Sequence, residues 1–163
     1  MVNIRGLRIN DLPEIYKWRQ NEELMRYYDT LPVDSPMEIE TEMYNNLNSI
    51  TRQDFIIETK TLNPIGIIFL NDINWKDRHA ELQVLIGEKE KRHRAFGIEA
   101  ELRMLIYAFH FLNLHKIYAQ VIKYARESKR LIEQVGFVQE AVLKNKFYQK
   151  GTCLLYTSDA ADE

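Results

Sequence analysis

The spacing of apolar and polar positions divides the chain into ten elements. "NIRGLR" reads as a short first strand. A helix follows from Asp11, where Asp11 and Glu14 have the D-x-x-E spacing of a capping box and Pro13 falls in the first turn. Leu12, Ile15, Trp18 and Arg19 continue at helical spacing. "SPME" repeats the signal at Ser35, Pro36 and Glu38 and predicts a second helix to about Leu47. "DFIIETK", "TLNP" and "IGIIFLNDINW" read as strand, turn and strand, because two β-branched runs flank an Asn-Pro break. "HAELQVLIG" is mostly apolar and reads as a central strand. From Ile98 the positions Ile98, Leu102, Leu105, Ile106, Phe109 and Leu112 recur at the helical period, which predicts a helix facing the core. "HKIYAQVI" is a strand, "ESKRLIEQV" a short helix stopped at Gly136, and "FVQEAVLKNKFYQKG" a strand pair or the start of one. The order β, α, α, β, β, β, α, β, α, β predicts one α/β domain of three layers. Its central sheet is mixed, with antiparallel N-terminal strands and helices on both faces.

Composition narrows the function classes. A chain of 163 residues can bury a sizeable core. A net charge of −2 argues against a dedicated nucleic-acid binder. No apolar run approaches a membrane span, and "MVNIRGLRIND" has no apolar leader core, so a cytoplasmic protein without a membrane partner is expected. Cys153 is the one cysteine, and His79, His93, His110 and His115 lack metal-ligand spacing, so neither disulfide nor metal is expected. The last eleven residues, "CLLYTSDAADE", resemble the translation of a transposon-end adapter used in sequencing libraries. The expectation is a domain over 1–152 and a non-native tail over 153–163. The native gene would then continue beyond Thr152, with the natural last strand truncated. The tail is therefore left out of the functional reading.

One stretch carries candidate chemistry, "EKEKRHRAFGIEAEL" (Glu88 to Leu102). It joins the end of a buried strand to the N-terminus of a long helix, where unpaired N–H groups and partial positive charge attract anions. Gly97 and the small Ala95 allow close backbone approach. Lys91, Arg92 and Arg94 add positive charge. Placement, more than charge, distinguishes this loop from a solvated basic run and points to a phosphate cradle.

"RHRAFGIEA" resembles the acyl-CoA pyrophosphate loop of the GNAT N-acetyltransferases, (Q/R)-x-x-G-x-(G/A), which falls here on Arg92, Ala95 and Gly97. Glu99 and Ala100 follow as they do in the RimJ/RimL branch. The resemblance extends over residues 4 to about 151, and "NDINWKDRHAELQ" is also similar to the spermidine acetyltransferases. It implies a GNAT-like fold and transfer of an acetyl group from acetyl-CoA to a primary amine. That amine could belong to a protein N-terminus, a polyamine or an amino sugar. Arg92, His93, Arg94, Ala95, Phe96, Gly97 and Ile98 would hold the pyrophosphate. A backbone N–H in the region of Val84, Leu85 and Ile86 would face the thioester oxygen. Glu81, near the start of that strand, is the candidate base, set against an ordinary salt-bridged glutamate.

The chain also departs from the wider superfamily. Ile132 stands where many members carry a tyrosine, and Ala125 where many carry an asparagine that contacts the pantetheine arm. Ser128 matches the branch's N-x-x-S pattern, either as a donor near the sulfur or as a helix N-cap. Tyr124 and Tyr148 are weaker substitutes for the tyrosine. Losing the asparagine side chain should weaken cofactor binding by roughly 0.5–1.5 kcal/mol. Trp18, Tyr27, Tyr28, Asp29, Asp72 and Asn74 are available to an acceptor. Of these, Tyr28, Asp72 and Asn74 are the candidate contacts, and Trp18 and Tyr27 fit core or cleft wall as well. Thr30 and Leu31 occupy positions that are acidic in the spermidine enzymes, which counts against that acceptor. An acyl-CoA-binding protein without turnover is the alternative function, and a homodimer is consistent with the resemblance.

Overall fold

The computed structural model describes residues 1–28, 35–92, 94–149 and 152–162. For Arg94, Phe147, Gln149 and 152–162 the description is of backbone alone. Among the described residues seven strands form one sheet in the order β1-β2-β3-β4-β5-β7-β6. They are β1 (Val2–Gly6), β2 (Gln53–Thr59), β3 (Pro64–Asn74), β4 (His79–Ile86), β5 (Lys116–Ile122), β6 (Val138–Gln149) and β7 (Thr152–Asp162). Neighbours are antiparallel except β4 and β5, which run parallel. The helices are α1 (Leu12–Arg19), α2 (Glu22–Met25), α3 (Pro36–Leu47), α4 (Arg94–Ile106) and α5 (Arg126–Gln134). One π-helical turn, Tyr107–Phe111, extends α4.

Strand alternation builds the expected three layers. Ile57, Ile68 and Leu82 point to one face and pack with Ala100 and Met104 of α4 and Ile132 of α5. Ile56, Ile67 and Leu85 point to the other and pack with Ile15 and Trp18 of α1 and Ile39 and Met43 of α3. The sheet is thus apolar on both faces, which is why its central strands read as near-continuous apolar runs.

Ser35 caps α3 as expected, its Oγ accepting the Glu38 N–H at 3.3 Å. Asp11 does not cap α1. Its carboxylate takes two bonds from Arg5, each 2.8 Å, and the Arg8 N–H at 2.7 Å. A guanidinium fork outcompetes single N–H donors for a carboxylate. Of the stripe expected on α4, Leu105 is buried and Phe109 and Leu112 pack partly on the core, but Leu102 and Ile106 are 44% and 54% exposed, and Ala100, Glu101, Met104 and Ala108 are buried in their stead. Small side chains at Ala100 and Ala108 let the helix lie close to the strands, and the bulky positions flank that contact.

The C-terminal segment takes the place of a last strand. Residues 152–162 lie between β5 and β6 and pair with both. On its other side β5 is held briefly. His79–Glu81 of β4 pair with Lys116–Tyr118, and beyond these residues β4 continues to Ile86 and β5 to Ile122 unpaired with each other. The sheet therefore opens into a V-shaped gap between two parallel strands.

Candidate active site

The edge of β4 that faces this gap is made of main-chain groups. The Tyr28 hydroxyl donates to the Val84 carbonyl at 2.7 Å. Arg92 donates from Nε to the Ile86 carbonyl at 3.1 Å and from Nη2 to the Gly87 carbonyl at 3.2 Å. The Leu85 carbonyl lies on the opposite side, against β3, where a Cβ built on Gly66 would meet it at 2.1 Å. A strand residue turns its N–H and C=O to the same side. Val84 and Ile86 therefore present N–H groups to the gap, and Leu85 presents its own to β3. Leu82 shares their parity, but its N–H completes the last rung of the parallel pair at Glu81–Tyr118, so its carbonyl alone faces the gap. The sequence reading missed it because parity on an unpaired edge depends on register.

The basic loop closes the wide end. Lys89–Lys91 form a 3-10 turn and α4 begins at Arg94. Arg92 ties this turn to the end of β4 while keeping its charge at the mouth of the gap. Ala95 is exposed, Phe96 packs partly on the core, and Ile98 is half-buried. Gly97 is buried on the α5 side, where an added Cβ would lie 3.7 Å from Leu131. His93 lies outside the described residues, and Arg94 is described in backbone alone.

The narrow end holds a carboxylate. Glu81 is 6% exposed and stands opposite Asn71 of β3 and Tyr118 of β5. Burial raises the Tyr118 hydroxyl above the usual tyrosine range, and the charges of Glu81 and Asp72 raise it further. Asp72 is exposed at a bulge, with φ 50°. Gln83 and Leu85 share the Glu81 face and line a cavity of about 70 Å³ beneath α1 and α3, beside Tyr28. Two ion pairs stand in its wall, Arg19 to Glu42 at 3.0 Å and Arg52 to Asp54 at 2.7 Å. Burial holds the Asp54 carboxyl above the ordinary range although Arg52 opposes it.

Several expected site residues have other work. Asn74 donates to Asp77 Oδ2 at 3.1 Å and accepts the Asp77 N–H at 2.8 Å, so it closes the β3–β4 turn instead of meeting an acceptor. Trp18 is 2% exposed, donates to Glu88 at 2.9 Å and is core. Ser128 is exposed in the first turn of α5 but is not its N-cap. Ala125 holds that position, without a side chain able to cap. Ala125 and Ile132 are buried in the core, Tyr124 donates to the Arg26 carbonyl at 2.8 Å, and Tyr148 is exposed. Asp29, Thr30 and Leu31 lie outside the described residues. Among the described residues no cluster of metal ligands occurs, and no helix is long and apolar enough to cross a membrane.

The sheet thus holds a parallel strand pair parted into a gap, with a helix N-terminus at its wide end and a buried carboxylate at its narrow end. The chain belongs to the acetyltransferase (GNAT) domain family, whose pattern matches residues 2–138. It is 34% identical over 151 residues to the spermidine N(1)-acetyltransferase of Vibrio cholerae, covering 92% of this chain and 86% of that protein. It is 26% identical over 150 residues to the Escherichia coli K12 enzyme of the same name, covering 92% and 80%. The crystal structure of the Vibrio cholerae spermidine N-acetyltransferase in complex with CoA and spermine superposes with a TM-score of 0.93 at 30% identity, over 99% of this chain and 95% of that one. The chain is thus an acetyl-CoA-dependent N-acetyltransferase.

Proposed function

We propose that this enzyme acetylates a primary amine of a polyamine or a similarly cationic small molecule. One observation carries the reading: buried Glu81 stands where the gap closes, opposite Tyr118, whose hydroxyl feels the charges of both Glu81 and Asp72. An ammonium entering from the α1–α3 face meets negative charge, and its proton has a place to go. The relatives' printed names and the bound spermine of the neighbouring structure support the acceptor class.

Bound acetyl-CoA supplies the acetyl group as a thioester. The residues present fit it. The N-terminus of α4, with Lys91 and Arg92 nearby, suits a pyrophosphate. The gap-facing N–H groups of Val84 and Ile86 supply donors for the amides of the arm and for the thioester oxygen. A Glu81 carboxylate oxygen takes the acceptor's proton, directly or through one water, leaving the amine lone pair free to attack. Ser128 Oγ, in the first turn of α5, is the candidate donor toward the leaving sulfur.

The core positions of Ala125 and Ile132 favour a second reading, cofactor binding without turnover. Thermal unfolding with acetyl-CoA at 100 times its dissociation constant should show about 2.7 kcal/mol of added stability, a shift of several degrees. Spermidine, spermine, an amino sugar and an N-terminal peptide should then be compared by release of free thiol. Polyamines turned over fastest is the expected result. A shift without thiol release from any amine establishes the second reading, and preference for the peptide overturns the polyamine class. No shift in a cooperatively unfolding protein overturns both.

A further inference from the structure

Past Glu81 and Tyr118 no main-chain pair joins β4 to β5 among the described residues, yet the two walls of the gap are tied together. The β4 wall is seated on α1. The Trp18 ring lies where a Cβ on Gly87 would stand, 2.2 Å away, and Trp18 Nε1 donates to Glu88 at 2.9 Å. The short α2 follows, and the turn after it closes with the Tyr28 N–H on the Met25 carbonyl at 3.0 Å. The Tyr28 hydroxyl then donates to the gap-facing carbonyl of Val84 at 2.7 Å.

The β5 wall reaches the same segment from its own side. Tyr124 stands two residues past the end of β5, and its hydroxyl donates to the Arg26 carbonyl at 2.8 Å. Its ring lies 5.7 Å from that of Tyr27, tilted by 55°. Arg26 and Tyr28 are two residues apart, a span of at most about 7 Å. One short piece of chain, Arg26–Tyr28, therefore bonds both walls beyond the point where the strands stop pairing. Tyr28 packs with the cluster of Ile15, Trp18 and Ile39, which puts this strap on the α1–α3 face of the sheet. Burial raises both hydroxyls above the usual tyrosine range, against the charge of Arg92 at Tyr28 and of Arg26 at Tyr124. Both therefore remain donors through the neutral and mildly alkaline range.

Attack needs the thioester carbon about 3–3.5 Å from the amine whose proton Glu81 takes. The α4 N-terminus fixes where the arm of the cofactor begins, and the spacing of the walls fixes where its reactive end lies. We propose that Tyr28 and Tyr124 are positioning residues for acetyl transfer, their hydroxyls joining the two walls through Arg26–Tyr28 and so setting the thioester against the amine at Glu81. The proposal rests on the acetyl-CoA reading above and adds residues that act through the width of the gap.

The test is steady-state turnover of acetyl-CoA with spermidine, or with the fastest of the amines above, followed by thiol release in Tyr28→Phe, Tyr124→Phe and the double variant. Phenylalanine keeps each ring and removes the tie. Tyr124→Phe should lower kcat about tenfold, while KM for acetyl-CoA, set by the loop and the β4 edge, moves by less than about threefold. A strap released at one end is released at both, so the double variant should be no slower than the slower single one. Losses that multiply in the double variant overturn the proposal, as does a Tyr124→Phe loss confined to KM. If Tyr28→Phe fails to unfold cooperatively, the kcat and KM of Tyr124→Phe decide, since Tyr124 is 42% exposed and its ring is retained. Wild type that releases no thiol with any amine overturns the acetyl-transfer reading and this proposal together, whereas a wild-type kcat that Tyr124→Phe keeps overturns the proposal alone.

Discussion

Replacing Arg5 by Met removes the cation of a buried triad while keeping an apolar stem. The guanidinium donates twice to Asp11 at 2.8 Å, once to Glu58 at 2.6 Å and once to the Gly6 carbonyl at 3.0 Å. Asp11 and Glu58 are 4% and 5% exposed, so the substitution strands two carboxylates at the junction of β1, β2 and α1. Removing one partner of such a network costs about 3–5 kcal/mol. For a chain of this size that is a fall in Tm of roughly 10 °C. The deficit should also depend on pH. In wild type, burial pushes Asp11 up, but Arg5 and the Arg8 N–H outweigh it and the net pKa is lowered. Its contribution is present above the unfolded pKa and is lost as pH falls through the folded value. Without Arg5, burial weighs more heavily on Asp11. Protonation then relieves the variant as pH falls, and the gap should narrow between pH 7 and pH 5. Urea unfolding of both proteins at the two pH values measures this. A gap below about 1 kcal/mol at pH 7, or an equal gap at both, would refute the reasoning.

Gly66→Ala should unfold the protein or sharply lower its stability, because the new Cβ would stand 2.1 Å from a backbone oxygen of β4; a melting temperature within a few degrees of wild type would contradict this. Gly97→Ala should instead be tolerated, since its Cβ meets Leu131 at 3.7 Å, and should gain about 0.5–1 kcal/mol from helix propensity, read in the same melts. Glu81→Gln should lower turnover, most visibly below pH 8, with acetyl-CoA affinity unchanged; an unaltered pH–rate profile removes Glu81 as the base. Without cofactor, Glu101 opposes folding increasingly as pH rises from its unfolded value of 4.5 to the folded value of about 8. Glu101→Gln should therefore gain on wild type by up to about 5 kcal/mol between pH 4.5 and pH 8.5, and a constant difference in urea would refute that.

The strands and the α3 cap were legible because they depend on local pattern: β-branched runs, an Asn-Pro break, and Ser35 three residues before Glu38. The basic loop was legible from its place between strand and helix. What escaped depends on pairing and competition. The parting of β4 from β5, and with it the separation of Leu82, Val84 and Ile86 from Leu85, follows from register that no residue type encodes. Asp11 and Asn74 each had a plausible local role, but the fold gave Asp11 to Arg5 and Asn74 to Asp77. Glu101 falls between Leu102 and the small Ala100, where an apolar-period count assigns it to solvent. Its burial appears once α4 lies on the sheet.

The insertion of β7 between β5 and β6 sets an order of assembly during synthesis. Among the described residues β6 pairs with β7 and with no other strand, so it has no place in the sheet until residues 152–162 have left the ribosome. β5 waits too, because three residue pairs bind it to β4 and seven bind it to β7. One wall of the gap thus stays loosely tethered until residues 152–162 have paired, which gives a nascent chain an interval in which an unpaired edge is open to wrong partners. Agents that shorten that interval, such as acetyl-CoA supplied during synthesis, should raise the yield of folded enzyme more than the same agents added afterwards.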